Sequence, residues 1–283
     1  MTRIPMMVAG LASTIVGFGW PFLAAGHPGV LAGDAMAPVV VAGVLALVLV
    51  WLLAEVTRGG LDTKAVALLG LLTALGVALR AVGPAVAGLE PTFVLVILAA
   101  RVFGGTFGFC YGTVLMTTST LLTGGVGPWL PFQLLATSWL GLAVGSLPPW
   151  GEGRRYEGAL LGLLAAPAAL VYGALLNLSF WPLTSTLAPA LSYQPTDTLA
   201  TNLTHYLTFY VATSLGWDIA RAAWTLLALT LAGPPLLAAL RRAGRRARIL
   251  DQSTSVSTNG GLTTSNVSRR PRRSSSTSVP AGE

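Results

Sequence analysis

Apolar runs of about 18 or more residues recur down the chain, and an α-helix needs a run of roughly that length to cross the hydrocarbon core of a bilayer. Of the 283 residues, 53% are hydrophobic and only 10% are charged, and the mean hydropathy is +0.71. This composition is typical of a protein with several transmembrane helices. We therefore expect an all-α, polytopic integral membrane protein.

The apolar runs predict eight transmembrane helices, at residues 5–25, 36–55, 64–83, 91–103, 104–123, 128–147, 157–179 and 207–239. The first run lacks a small-residue cleavage site after it, so we interpret it as a retained helix and not as a signal peptide. Basic residues occupy every second connection, namely Arg3, Arg58, Lys64, Arg101, Arg154, Arg155 and residues 241–248. The positive-inside rule then predicts a multi-pass protein of the plasma membrane with both termini in the cytoplasm.

The formal net charge of +7 comes from 17 Lys and Arg against 10 Asp and Glu. These basic residues lie in connections and at the C-terminus, so the charge indicates topology and no nucleic-acid partner is expected. Residues 249–283 are rich in Ser, Thr, Asn and Gly and carry too few apolar side chains to offset the entropy of ordering. We predict a disordered, basic cytoplasmic tail there.

The stretch LLTGGVGPWLPFQLLATSWLGLAVG, residues 121–145, is apolar but contains several helix breakers: Gly124, Gly125, Gly127, Pro128 and Pro131. Non-helical backbone at membrane depth is tolerated only where protein buries it or where it lines a water-filled cavity. We therefore expect this stretch to line a solute cleft, with Trp129, Phe132 and Gln133 as candidate contacts. The alternative is a tight turn between two short helices at the outer surface.

Four charged residues lie inside or next to the predicted spans: Arg80, Glu90, Asp218 and Arg221. A charge at the bilayer centre costs about 2.5–3.5 kcal/mol, so each should pair, approach an interface or face a cavity. Asp218 and Arg221 are three residues apart and share one helix face. They either form a structural ion pair or hold and orient a polar solute. Arg80 is a further candidate contact of the solute.

Other candidate contacts are Tyr172, Asn177, Trp181 and Trp217. Tyr172 and Asn177 are polar groups on the seventh predicted span. Trp181 begins a connection, residues 180–206, whose Pro, Tyr and Trp content favours a lid over a linker. The alternative for the tryptophans is an interfacial belt, which is the commoner use of Trp in membrane proteins.

Gly70, Ala74 and Ala78 repeat every four residues on the third predicted span and form one small-residue stripe. Such a stripe lets another helix approach closely. Taken alone, it is compatible with docking of a partner or with packing inside the chain.

Three segments together resemble the substrate-binding S component of energy-coupling factor (ECF) transporters, above all its uncharacterised and cobalamin-type members. They are LLGLLTALGVALRAVGPAV, residues 89–149 with TGGVGPWLPFQ, and residues 213–246 with GWDIARA. The resemblance implies a six-helix core at residues 61–248 around a vitamin-sized pocket near the outer surface, preceded by two extra helices at residues 1–60. It also implies that the stripe, through Ala74 and Ala78, docks on a transmembrane coupling protein that carries two ATPase subunits.

The resemblance implies uptake of a vitamin or related micronutrient, with cobalamin as the example, across a bacterial plasma membrane, and it implies no cofactor on this chain. We expect no enzymatic activity, because the sequence has no phosphate-binding loop with lysine, no Gly-x-Ser-x-Gly turn and no metal-binding spacing, and His27 and His205 are far apart. No catalytic or metal-binding residue is therefore predicted. The alternatives are a self-sufficient secondary transporter, which usually shows an internal repeat, and an intramembrane enzyme.

Overall fold

The computed structural model describes residues 3–25, 36–57, 62–82, 89–184 and 187–245. Every regular element in these ranges is helical, so the all-α prediction is confirmed for them. The predicted tail, Arg58 and His27 lie outside the described residues. The chain divides into two units after Arg241, and the second unit is described only over residues 242–245.

Ten α-helices run through the described residues. They are α1 Arg3–Ala24, α2 Met36–Thr57, α3 Thr63–Val82, α4 Pro91–Phe103, α5 Gly105–Thr123, α6 Leu130–Gly145, α7 Glu157–Phe180, α8 Leu199–Thr213, α9 Leu215–Leu231 and α10 Gly233–Arg245. The first seven predicted spans coincide with α1 to α7 to within a few residues.

The breaks between helices occur where the sequence offers the right capping residue. Gly104 separates α4 from α5 with φ of 92°, and Gly124 ends α5 in the left-handed conformation with φ of 70°. Both conformations are strained for residues with a Cβ atom. The Asp62 carboxylate accepts the Ala65 N–H at 2.7 Å and so caps the start of α3.

The prediction of one helix at residues 207–239 is wrong, because α8, α9 and α10 divide this range. The first break is at Ser214, and the second precedes Pro234 and Pro235, which lack the N–H that a continuing helix needs. At this second break α9 and α10 meet at 64°. Apolarity continues across both breaks, and this is why the hydropathy pattern joined the three helices.

Within the described residues, two helices are long and apolar enough to cross a membrane, at Thr63–Arg80 and Glu157–Leu183. A third span is obtained if α9 and α10 are counted as one bent crossing. Several other apolar helices are shorter, among them α4 and α6. These lengths are compatible with a membrane protein, and they establish fewer crossings than the eight predicted.

Small residues bring the central helices close together. Gly108 of α5 and Gly141 of α6 lie backbone to backbone, and a Cβ atom on either would collide with the other's carbonyl group. Gly158 of α7 lies against the Leu229 carbonyl of α9 in the same way. These contacts make the α5–α6 and α7–α9 pairs the framework on which the other helices pack.

The two N-terminal helices share the hydrophobic core of the other helices. Phe18 of α1 contacts Phe132 of α6 with ring centroids 5.3 Å apart. Trp51 of α2 stacks on Phe109 of α5 at 5.1 Å and meets Trp139 of α6 edge-on at 5.3 Å. The two N-terminal helices thus pack directly on the α5–α6 pair, and α6 forms one wall of the cleft described below.

A buried carboxylate, Glu157, ties together one end of the helix bundle. Its Oε1 accepts bonds from Arg101 Nε at 3.1 Å and Arg241 Nη2 at 2.7 Å, and its Oε2 accepts from Arg241 Nη1 at 2.8 Å and Gly153 N at 3.0 Å. Arg101 also donates to the carbonyls of Leu147, Pro148 and Trp150. The network joins α4, α7 and α10 at one end of the helix bundle.

Candidate functional site

An open cleft of about 440 Å³ lies between α6 and α7. Its lining residues are Trp129, Gln133, Leu176, Asn177, Ser179 and Phe180. Small-molecule sites commonly measure about 300–1,000 Å³ and combine apolar walls with a few polar groups. This cleft has that character, because two aromatic rings and two side-chain amides face one space.

The helix-breaking stretch is both a turn and part of the cleft wall. Residues 124–129 form the connection between α5 and α6, as the turn alternative predicted. Trp129 closes that turn by donating its Nε1–H to the Gly125 carbonyl at 3.2 Å, and its ring covers Gly127, where a Cβ atom would collide with it. The turn therefore fixes Trp129 at the mouth of the cleft, where it meets Phe180 edge-on at 6.5 Å.

Gln133 connects the cleft to Arg80 of α3. Arg80 donates from Nη2 to Gln133 Oε1 at 3.4 Å and from Nη1 to the Met116 sulfur at 2.7 Å. The first bond is long, and a thioether is a weak acceptor. Arg80 does not line the cleft itself, but it stands behind a residue that does.

Asn177 connects the opposite wall to α9. Its Nδ2 donates to the Gly173 carbonyl at 2.9 Å, and its Oδ1 accepts from the Ser214 hydroxyl at 2.6 Å. Ser214 lies at the break between α8 and α9, so this break has a polar partner in α7. One amide hydrogen of Asn177 is left for a molecule in the cleft.

Asp218 and Arg221 form the ion pair that their spacing predicts, with Nη1 to Oδ1 at 2.7 Å. The Tyr210 hydroxyl donates to Asp218 Oδ2 at 2.9 Å. Glu90 approaches Arg221 Nε to 2.7 Å, at an angle that directs no hydrogen at the carboxylate, so this contact is a charge pair. The Arg221 guanidinium also lies over the Tyr172 ring, 5.6 Å from its centroid.

This charged cluster lies behind the cleft, because neither the ion pair nor Tyr172 lines it. The Asp218 carboxylate fills the space that a side chain on Gly173 would take. Tyr172 is buried, and its hydroxyl lies 3.2 Å from the Thr137 hydroxyl. Sequence reasoning missed Tyr210, Gly173 and Ser214, because they meet Asp218 or Asn177 only through helix packing.

The other predicted contacts lie elsewhere. Phe132 is buried against α1. Trp181 is fully buried, and its Nε1–H donates to the Leu191 carbonyl at 2.7 Å. Trp217 is 57% exposed and is outside the cleft lining.

The predicted lid is shorter than residues 180–206, because α8 begins at Leu199. Its described part is pinned to α8 by Asn202, which accepts the Gln194 N–H at 2.9 Å and donates to the Gln194 carbonyl at 2.7 Å. Below it, Trp181 packs on Tyr193 at 5.5 Å and on Tyr206 at 5.4 Å. Burial raises the pKa of the Tyr193 phenol.

The small-residue stripe of α3 is exposed. Ala74 and Ala78 are open to the surroundings, and a Cβ atom on Gly70 would meet nothing within 4 Å. Gly76 faces the other way, and a Cβ atom there would lie 2.6 Å from Leu115 and 2.9 Å from the Tyr111 hydroxyl. In the described residues, therefore, the stripe does not take part in packing inside the chain.

The described residues contain no group of three His, Cys, Asp or Glu side chains placed to hold a metal ion. No protein-family model, curated protein or solved structure matches the chain. Over the described residues, the fold and the cleft thus define an all-helical protein with membrane-length helices and a small-molecule-sized cleft.

Proposed function

We propose that this protein is the solute-binding membrane component of an ECF-type importer. The observation that carries the proposal is the cleft, where Trp129 and Phe180 flank the amides of Gln133 and Asn177. Such a site binds a small molecule by aromatic contact and a few hydrogen bonds. The cleft volume is in the lower part of the usual range, so a vitamin-like solute smaller than cobalamin suits it better.

The position of the cleft supports capture from outside. It lies at the C-terminal ends of α5 and α7 and the N-terminal end of α6, opposite to the end that holds Glu157 and its arginine partners. Under the positive-inside rule, the arginine-rich end is cytoplasmic. A solute would then enter from the outer side and leave inward.

The exposed stripe of α3 supports a partner in the membrane. Small residues allow a second helix to approach closely, and α3 presents them away from its own bundle. We assign this surface to the transmembrane coupling protein, whose two ATPase subunits supply the energy. The solute-binding chain then changes its tilt in the bilayer during ATP hydrolysis.

The test is purification of the protein in detergent, followed by mass spectrometry of any small molecule that it retains. Trp129→Ala and Gln133→Ala should weaken binding of that molecule by about 1–3 kcal/mol, through a lost aromatic contact or an unpaired polar group. Trp150→Ala is the matched control, because Trp150 is exposed and lies outside the cleft. Equal binding by all these variants would contradict the assignment of the site.

A further inference from the structure

We propose that Arg80 is the counter-ion for an oxyanion, a carboxylate or a phosphate, on the molecule that occupies the cleft. This inference rests on the proposed function and specifies the chemical class of its ligand. Two observations support the proposal. Among the described residues, Arg80 lacks the carboxylate partner that the other partly buried arginines have, and a single residue, Gln133, separates Arg80 from the cleft.

Among the arginines whose side chains the structure describes, four are partly buried: Arg80, Arg101, Arg221 and Arg241. Three of them have carboxylate partners. Arg101 and Arg241 pair with Glu157 at 3.1 and 2.7 Å, and Arg221 pairs with Asp218 and Glu90, each at 2.7 Å. Arg80 forms no ion pair with any carboxylate of the described residues.

The residues that follow Arg80 cannot supply the missing charge. Residues 81–89 contain no Asp or Glu. The next acid along the chain, Glu90, is engaged with Arg221. Among the described residues, the side-chain partners of Arg80 are a sulfur atom and one amide oxygen, both uncharged.

The Arg80 guanidinium, which has no carboxylate partner among the described residues, can still bind an anion. It carries five N–H donors in a rigid planar fork that matches the two oxygens of a carboxylate or phosphate. In a partly desolvated site, an unpaired charge is costly and an oxyanion is strongly attracted. The 3.4 Å bond to Gln133 is weak enough for a ligand oxygen to replace it.

Gln133 links the Arg80 guanidinium to the cleft. The same side chain that accepts the Arg80 bond lines the cavity, so the guanidinium is one hydrogen bond away from it. Displacement of Gln133 Oε1 by a ligand oxygen would bring the charge into direct contact and free the Gln133 amide to bind elsewhere on the ligand.

A purely structural explanation is that Arg80 lies in the last turn of α3, where the helix dipole favours a positive charge. That effect helps α3 to tolerate the arginine, but it provides no partner for the guanidinium. The two explanations differ in whether anions accumulate in the cleft, and this can be measured without knowing the ligand.

The first measurement is fluorescence quenching of Trp129, taken as the difference between the wild-type protein and Trp129→Phe in detergent at constant ionic strength. Iodide is the intrinsically stronger quencher, so the quantity compared between proteins is the ratio of iodide quenching to caesium quenching at Trp129. This ratio should be several-fold higher in the wild-type protein than in Arg80→Gln. Arg80→Lys should keep the wild-type ratio, and Arg155→Gln, at an exposed arginine near the opposite end of α7, should not change it. An equal ratio in the wild-type protein and Arg80→Gln would overturn the inference.

The second measurement identifies what the protein retains on purification. A carboxylate- or phosphate-bearing molecule should be present in the wild-type protein and reduced at least tenfold in Arg80→Gln, whether it is a free solute or an anionic lipid, and its mass distinguishes these sources. A neutral or cationic solute retained equally by both proteins would overturn the inference and leave the proposed function standing. A lipid as the sole Arg80-dependent molecule would support the oxyanion site and count against solute binding.

Discussion

At the level of single residues, the position of Asp218 depends on the absence of a side chain at Gly173 of α7. Its carboxylate occupies the space beside Gly173, and there it receives the hydroxyl of Tyr210 and the guanidinium of Arg221. A methyl group at position 173 would push the carboxylate away from both donors. The glycine therefore matters for close approach between α7 and α9.

We expect Gly173→Ala to lower the free energy of unfolding by about 1–3 kcal/mol, the usual cost of overpacking. Thermal melting in detergent measures this change. Gly216→Ala on α9 is the matched control, since a Cβ atom there meets nothing within 4 Å. Equal melting of both variants would mean that Asp218 can move without loss.

Asp218→Asn separates a structural role of the charged cluster from a role in solute binding. The substitution leaves Arg221 with Glu90 as its only carboxylate partner among the described residues, so we expect a loss of about 3 kcal/mol in stability. The folded variant should bind the solute normally, because Asp218 does not line the cleft. Melting curves and binding titrations on the same sample measure both effects.

Glu152→Gln serves as the comparison for Asp218→Asn. Glu152 is exposed and approaches Arg241 only to 3.7 Å, and such surface pairs contribute less than about 1 kcal/mol. If Asp218→Asn melts like this control but binds the solute weakly, Asp218 is a solute contact.

Local spacing explains which parts of the site could be predicted. The Asp218–Arg221 pair follows from an interval of three residues on one helix, and Trp129 and Gln133 follow from the helix breakers beside them. The role of Tyr210, Gly173 and Ser214 depends on how α7, α8 and α9 pack, which no short interval in the sequence specifies. The burial of Trp181 against Tyr193 and Tyr206 likewise depends on the fold, and its contact with a solute stays a prediction.

At the level of helices, α3 has two faces that the sequence pattern does not distinguish. Both carry glycine and alanine, but Gly76 faces Leu115 and Tyr111 whereas Gly70 and Ala74 face away from the described bundle. A small-residue repeat predicts that something packs closely. Only the fold tells which face packs inside the chain.

Bulky substitutions on the two faces of α3 should have opposite effects. Ala74→Trp should leave melting and solute binding nearly unchanged and abolish uptake in cells that contain the coupling proteins, because it blocks helix docking. Gly76→Trp should prevent folding, since the space is already filled. Normal uptake by Ala74→Trp would show that the stripe faces lipid alone.

At the level of the whole molecule, the two ends of the helix bundle differ in charge. Arg101, Glu157 and Arg241 meet at one end, although they are far apart in sequence, while the cleft lies toward the other. This agrees with the alternation of basic connections along the chain.

Reporter fusions after Arg58, Arg155 and Arg248 should all report the cytoplasm, and a fusion near Tyr193 should report the outside. Enzymatic reporters that are active on only one side of the membrane provide the measurement. An outside signal at Arg155 would eliminate the topology with eight crossings. It would also place the cleft on the inner side.

The Glu157 network has a consequence for biogenesis. Arg241 follows Glu157 by 84 residues, yet it supplies two of the four bonds that the carboxylate accepts. A nascent chain that has emerged only as far as α7 offers Glu157 two of these donors, Arg101 Nε and the Gly153 N–H, and not the guanidinium of Arg241. The end of the bundle that holds Glu157 can therefore close only after translation has delivered α10.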